Sequence, residues 1–445
     1  MTTTLFRNVR LVDPAADIDG YLDVLVAEGK VRRVATHISP DEALRGPRRG
    51  GEGGCLTVVE GHGLWLWPGL VDVHVHFREP GFTEKETFRT GGMAAAAGGY
   101  TSVVCEPNTE PPIDSVEVAR RLAEQAGHDS PVHVYFKAAM TRARQGRKPS
   151  DIRALSQEES IVALSDDGDP VPDEGLMGSI CRAAAEMRML LAPHCEDSQQ
   201  ALKALAAGAQ AGFQRGEPYT NEAGYIERDL RLAAAAGCRI HLSHVSLARS
   251  LEAIERFKRE APNPAAATFE VTPHHLLLCA EDFPDGAPKV NPPLRSAEDR
   301  KALREALASG RVDAIASDHA PHTARDKATG ASGLIGLETT LGLVLTHFVL
   351  PGEVSVSRAA SLLSLSPARI FSLPAGTLKR GSPADMVLID PSLEWRVEPD
   401  KFRSKSRNTP FAGWELRGGA VATYVRGQEV FCTPGLEERK ETAAP

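Results

Sequence analysis

In the stretch Asp72-Val-His74-Val-His76-Phe-Arg78-Glu-Pro-Gly81, two histidines stand two residues apart, and an arginine follows two further on. An extended strand sends residues i and i+2 to the same side, so both imidazoles face one point. Two neutral imidazoles converging in this way supply half of a zinc site. The arginine offers a fixed cation for an anionic ligand. The H-x-H pattern alone fits a pair of partly buried strand histidines equally well, so the rest of the chain must decide.

The same pairing of an apolar run with a polar exit recurs along the chain. Strand-like runs cover Leu70–Phe77, Tyr100–Cys105, Val132–Lys137, Ser160–Asp166, Met187–Pro193, Arg239–Ser243, Thr268–Thr272 and Val312–Ser317. Helical stretches at Glu84–Ala97, Glu117–Ala126, Gly175–Glu186, Asn221–Ala236, Leu247–Arg259 and Ala297–Ser309 separate them. Eight such runs predict a (β/α)8 TIM barrel, an α/β fold. A doubly wound open sheet is the runner-up, but no G-x-G-x-x-G follows an early strand.

The C-terminal ends of barrel strands meet at one face, where such enzymes build their sites. Here those ends carry His74 and His76, then Glu106-Pro-Asn108, Asp166-Asp167-Gly168, His194, His244, His274-His275 and Asp318-His319-Ala-Pro-His322. A set so rich in histidine and aspartate is what a metal site demands. Of His241 and His244, only the later is expected to reach the mouth. His274 and His275 are expected to pack or hydrogen-bond. His37, His62, His128, His133 and His347 read as structural, and Asp13, Asp385 and Asp390 as turn carboxylates.

Residues 1–66 read as short strands (Thr4–Val9, Asp23–Ala27, Val31–Ala35, Leu56–Glu60), with Gly46–Gly54 as a surface loop. Short strands return from about residue 372 to 430, clearest over Gly376–Asp390, and the tail Glu437–Pro445 reads as disordered. The expected organisation is a barrel over 67–371 and a small β-sandwich domain built from 1–66 and 372–445.

Hydrophobic content of 42% and charged content of 25% are those of an ordinary globular protein. A net charge of −8 without a basic stripe argues against a nucleic-acid partner. Seven scattered cysteines without C-x-x-C fit reduced thiols. No signal-peptide pattern and no apolar stretch of roughly 20 residues occurs, so neither export nor a membrane is expected, and the cytoplasm is the expected compartment.

The stretches D-V-H-V-H-F-R-E-P-G (72–81), E-P-N-T-E-P-P (106–112), S-D-D-G (165–168), A-P-H-C-E-D (192–197) and H-L-S-H-V-S (241–246) make a specific set. V-T-P-H-H-L-L-L (271–278), V-N-P-P-L-R (290–295), S-D-H-A-P-H (317–322) and S-K-S-R-N-T-P-F (404–411) complete it. Their order over nearly the whole chain resembles the dihydroorotases of the bacterial type I class, within the amidohydrolase superfamily. The resemblance implies one or two Zn2+ held by His74, His76, Asp167, His194, His244 and Asp318. Asp166 is the reserve for Asp167. A carbamylated Lys137 is disfavoured because it lies on the third strand, whereas this class uses an aspartate on the fourth. Asp318 is implied as the catalytic base, and Arg78, Asn108, Asn291, His322 and Gly333 as substrate contacts.

The implied reaction is reversible cyclisation of N-carbamoyl-L-aspartate to L-dihydroorotate in pyrimidine synthesis. The polar stretch Thr323–Gly333 reads as a mobile loop over the site. Glu106 stands where the family has methionine, and Ser332 where it commonly has phenylalanine, which bears on substrate packing. An allantoinase- or hydantoinase-like enzyme is the nearest rival, and Arg78 with S-D-D-G counts against it. An inactive partner of aspartate transcarbamoylase is the rival of another class, opposed by six filled ligand positions. The expected arrangements are the chain alone, a homodimer, or the chain docked on aspartate transcarbamoylase.

Overall fold

The computed structural model describes residues 3–44, 55–196, 222–263 and 266–443. Among the described residues five strands precede the barrel: β1 (Thr3–Asp13), β2 (Ile18–Ala27), β3 (Lys30–Ala35), β4 (Leu56–Glu60) and β5 (Trp65–Pro68). The barrel strands are β6 (Leu70–Val75), β7 (Tyr100–Cys105), β8 (His133–Ala138), β9 (Ile161–Leu164), β10 (Ile240–Leu242), β11 (Ala267–Val271) and β12 (Ala314–Ile315). Strands β6–β9 form one parallel arc and β10–β12 another. Leu191 joins the arcs by bridging Leu164 and Ile240, and Val75 bridges His319 to close the ring. The fold is therefore a TIM barrel with eight staves, the fifth reduced to its bridge.

After the barrel come β13 (Met386–Arg396), β14 (Glu415–Val425), β15 (Gln428–Cys432) and β16 (Lys440–Ala443). Among the described residues they join β1–β5 in a nine-stranded sheet of order β15-β14-β13-β5-β1-β2-β3, with β4 beside β1 and β16 beside β4. Period-two alternation divides its apolar residues between two cores. On β13, Met386 and Leu388 face the sandwich core with Phe6, Val9 and Val24, while Val387 and Ile389 face the barrel core. Trp65 and Trp67 on β5 repeat the split against Leu66. The β domain is thus packed onto the barrel by the backs of its own strands.

Inside the ring, Val71, Val73, Val104, Ala163, Leu190, Ala192, Ala314 and Ala316 pack together, with Phe371 and Leu373 against them. Small and branched side chains fill this apolar part of the barrel.

The structure corrects several boundaries. The helix expected from Glu84 begins at Phe88, because the Thr87 hydroxyl accepts from the Thr90 N–H and caps it there. The run Met187–Pro193 forms no full strand. The preceding helix continues to Met187, and Arg188 ends it in a left-handed conformation, φ 57°. The expected strand over Gly376–Asp390 starts only at Met386, after Gly376 and Gly381 take positive φ in turns. The described part of the tail is structured. A short helix, Pro434–Glu437, leads to β16, which pairs antiparallel with β4 and satisfies that strand's open edge. Residues 323–333 hold a helix, Ala324–Ala328, with a Thr323–Asp326 capping box. The loop expected at Gly46–Gly54 lies outside the described residues.

Candidate metal centre

Strand β6 delivers His74 at its end and His76 just beyond it, their rings 5.5 Å apart and both buried. Four more strand exits bring Asp167, His194, His244 and Asp318 to the same point. Two donors that each lie about 2.1 Å from a tetrahedral zinc stand about 3.4 Å apart. The observed separations fall around that value. Asp167 Oδ1 is 3.3 Å from His74 Nε2, 3.4 Å from His194 Nδ1 and 3.6 Å from His244 Nε2. Its other oxygen, Oδ2, is 3.7 Å from His76 Nε2. Asp318 Oδ1 lies 3.2 Å from His76 Nε2 and 3.7 Å from His74 Nε2.

Asp167 therefore faces both halves of the cluster, as a bridging carboxylate must. Among the described residues His74 Nε2 is buried without a hydrogen-bond partner although it points among these carboxylates. An orphaned imidazole nitrogen in such company fits the role of a metal ligand. The N/O donor set fits zinc.

The electrostatics agree. Burial alone would raise the Asp167 pKa, yet His74, His194 and His244 hold it well below the carboxylate range. Burial likewise works against ionised Asp318, and His76 and His74 hold its pKa low. Burial would lower the His74 pKa, but Glu106 and Asp167 raise it well above the ordinary histidine value. The cluster thus demands positive charge, which a divalent cation supplies without protons. Arg78, His244 and Asp318 all adopt positive φ (60°, 35° and 48°). Strain in three neighbouring functional candidates is common where geometry is set by chemistry.

Asp166 is turned away. Its carboxylate accepts from the Thr141 N–H at 3.1 Å and from the Thr141 hydroxyl. His241 hydrogen-bonds to Thr268 at 2.8 Å and to Glu270 at 3.0 Å, below the ligand cluster. His275 bonds Thr272 and the Pro292 carbonyl; buried His274 has no partner at Nε2 among the described residues, and burial lowers its pKa to about 4.

The expected substrate contacts surround the cluster. Arg78 donates from Nε to the Pro321 carbonyl at 3.2 Å, and its Nη2 lies 3.2 Å from His322 Nε2. Asn108 accepts from His76 Nδ1 at 2.9 Å and donates to Asp167 Oδ2 at 3.1 Å, so both ends of its amide orient ligand candidates. Asn291 Nδ2 is 3.0 Å from His194 Nε2. Gly333, at φ +139°, donates its N–H to the Lys289 carbonyl at 2.9 Å. Ser332 is exposed, so its difference from phenylalanine leaves no hole in the core.

Sequence reasoning missed the groups that hold these side chains. Glu270 on β11 accepts from His74 Nδ1 at 2.8 Å and also from His241, fixing the tautomer that leaves His74 Nε2 for a metal. A lone carboxylate inside the apolar run Thr268–Thr272 was the available signal. Arg144 holds the Asp166–Asp167 turn through both backbone carbonyls. Glu106, the departure from family pattern, is ion-paired with Lys137, both wholly buried, and its Oε1 lies 3.5 Å from His74 Nε2. Burial would lower the Lys137 pKa, but Glu106 and Glu270 raise it. A protonated, engaged lysine is a poor carbamylation site.

Replacing Glu270 by glutamine should keep the shape and remove the charge opposing His74. Metal affinity in a chelator competition should fall by about 10- to 100-fold, the usual cost of losing such a partner. Wild-type affinity would take Glu270 out of the metal centre.

A closed barrel whose strand ends gather imidazoles and carboxylates defines a metal-dependent hydrolase class, and the comparisons agree. Residues 65–430 match the model of the amidohydrolase family. Dihydroorotase from Bacillus caldolyticus is 42% identical over 84% of this chain and 89% of its own. Dihydroorotase from Halalkalibacterium halodurans is 39% identical over 99% of both. Among solved structures, L-hydantoinase (dihydropyrimidinase) from Arthrobacter aurescens superposes with a TM-score of 0.83 at 27% identity, covering 97% of this chain and 96% of that one. The chain belongs to the amidohydrolase family, within its dihydroorotase branch, and is a cyclic amide hydrolase.

Proposed function

We propose that this chain is a zinc-dependent dihydroorotase, interconverting N-carbamoyl-L-aspartate and L-dihydroorotate in de novo pyrimidine (UMP) biosynthesis. The observation that supports this most is Arg78, a fixed cation held at the edge of the six-ligand cluster through Pro321 and His322. Dihydroorotate carries a free carboxylate, and a bidentate guanidinium matches it. The amidohydrolase family is metal-dependent, and the candidate ligands for one or two zinc ions are His74, His76, Asp167, His194, His244 and Asp318. When bound, zinc supplies Lewis acidity and lowers the pKa of a water to around 7.

Asp318 is the catalytic residue of the reading. Its carboxylate, kept ionised by His76 and His74 against the effect of burial, accepts the proton of the attacking water during ring opening. As the cyclic amide C–N bond breaks, the same proton passes to the departing ring nitrogen. In ring closure Asp318 takes a proton from the carbamoyl nitrogen as that nitrogen attacks the carboxyl carbon, and water leaves. Arg78 and Asn108 bind the substrate carboxylate, Asn291 the ring edge, and His322 with the Gly333 backbone complete the pocket. The barrel comprises 67–371, flanked by the two parts of the β domain, 1–66 and 372–445. The proposed setting is the cytoplasm, with the chain working alone, as a homodimer or docked on aspartate transcarbamoylase.

The second reading, a hydantoinase- or allantoinase-like enzyme, has the L-hydantoinase superposition in its favour. Those substrates lack dihydroorotate's carboxylate, so they give Arg78 nothing to hold. Purified protein should therefore turn over dihydroorotate far faster than hydantoin or allantoin; the reverse preference would reject the assignment. Arg78→Met should raise KM for dihydroorotate by about 100-fold, the equivalent of a lost charge-assisted contact of roughly 3 kcal/mol. A KM like that of the wild type would remove Arg78 from the carboxylate site.

A further inference from the structure

Between β13 and β14 the chain leaves the β domain, and residues 402–411 run against the barrel mouth. Its backbone N–H groups at Arg403 and Ser404 donate to Glu338 at 2.9 and 3.1 Å. The Ser404 hydroxyl and the Lys405 N–H donate to buried Glu86. Beyond these anchors, two side chains reach the proposed substrate pocket. The Ser406 hydroxyl donates to the His322 carbonyl at 2.8 Å. Asn408 uses both ends of one amide: Oδ1 accepts from the His322 N–H at 3.4 Å, and Nδ2 donates to the Gly333 carbonyl at 2.9 Å. The Asn408 carbonyl also accepts from the Ile335 N–H at 3.1 Å.

We propose that Asn408, contributed by the β domain, is a positioning residue that sets the separation between His322 and Gly333 and so the width of the substrate pocket. This rests on the reading of His322 and Gly333 as substrate contacts. The two segments it spans are already close. A Cβ built on Gly333 would stand 2.7 Å from the Ala320 carbonyl oxygen and 3.1 Å from His322 Cδ2. The Gly333 carbonyl has one further donor, Lys327 Nζ at 2.9 Å, which comes from the short helix Ala324–Ala328 on the barrel itself. Lys327 can hold Gly333 to its own loop, but among the described residues Asn408 is the side chain that ties Gly333 to the His322 backbone. Asn408 touches none of the six metal-ligand candidates in the hydrogen-bond network, so its effect falls on binding rather than on bond breaking.

The test compares wild type with Asn408→Asp, Asn408→Ala and Ser406→Ala, each assayed for cyclisation of N-carbamoyl-L-aspartate, zinc content and urea unfolding. Asn408→Asp keeps the acceptor for the His322 N–H and sets an oxygen against the Gly333 carbonyl in place of the donor. It should raise KM about 10-fold with kcat within about threefold, the signature of lost binding, while zinc content and unfolding midpoint stay at wild-type values. Asn408→Ala should raise KM at least as much. Wild-type KM in the aspartate variant would overturn the proposal, as would kcat falling in parallel with zinc loss. Should the Asn408 variants not fold, Ser406→Ala, which removes the hydroxyl that donates to the His322 carbonyl, accepts from the His322 N–H at 3.3 Å and bonds Asn408, must still raise KM at least threefold, and an unchanged KM overturns the idea. Absence of wild-type cyclisation would reject the functional reading itself, whereas an active wild type with indifferent variants rejects only the positioning role.

Discussion

Asp318→Ala should lower kcat for dihydroorotate hydrolysis by about 10³-fold or more, within the range that a positioned acid–base group contributes. The protein should fold normally and keep much of its metal, because five other ligand candidates remain. His74 and His76 would lose one carboxylate neighbour, but Asp167 stays 3.3 Å from the first and 3.7 Å from the second. Rescue by a small carboxylate such as formate would point to proton transfer as the missing function. Turnover near that of wild type would refute Asp318 as the base. Zinc loss in step with activity would recast it as a ligand alone.

Lys137→Met should destabilise the protein by about 3–5 kcal/mol, the usual cost of leaving a buried charge without its partner. Lys137 and Glu106 are ion-paired with neither side chain exposed, so Glu106 would be left carrying an uncompensated charge inside the barrel. Nearby His74 cannot fully take over, since its Nε2 lies 3.5 Å from Glu106 Oε1 and faces Asp167 as well. The double variant Glu106→Met/Lys137→Met removes both charges and should recover most of the loss, because apolar replacement of a whole buried pair is often neutral. Urea unfolding of the metal-free proteins reads both values. A single variant as stable as wild type, or a double variant worse than the single, would show that the pair does not act as a unit.

The barrel was legible in sequence because its period is strong. Runs such as Tyr100–Cys105 are short, apolar and separated by amphipathic helices, and their polar exits share one end by topology. The ligand candidates were legible for the same reason: a histidine or aspartate at a strand exit breaks the apolar pattern in a readable place. What escaped lies where local pattern is silent. The fifth stave is the single residue Leu191, bridged on both sides and set by its neighbours rather than by its own strand propensity. Helix Thr340–Val344 is buried at every position, so it has no amphipathic stripe to find. The tail strand Lys440–Ala443 exists because β4 offers an unpaired edge about 380 positions earlier, which no local window contains.

The supporting groups were missed for a related reason. Glu270 appears as one charge inside an apolar run, and Glu106 and Lys137 stand at the ends of two separate runs, so sequence alone gives no sign that they pair. Only the closed ring brings Glu106 of β7's exit against Lys137 of β8 and aims Glu270 at His74. The resemblance already chose Asp167 over Asp166, and the coordinates add a local reason. Adjacent residues point apart, and Thr141 occupies one of them.

The most direct test is anomalous diffraction at the zinc absorption edge from crystals grown with zinc. One or two peaks are expected within about 2.0–2.3 Å of the donor atoms of His74, His76, Asp167, His194, His244 and Asp318, with Asp167 touching both when two are present. Peaks located elsewhere, or a zinc-saturated crystal with none among these six side chains, would contradict a metal centre at this site.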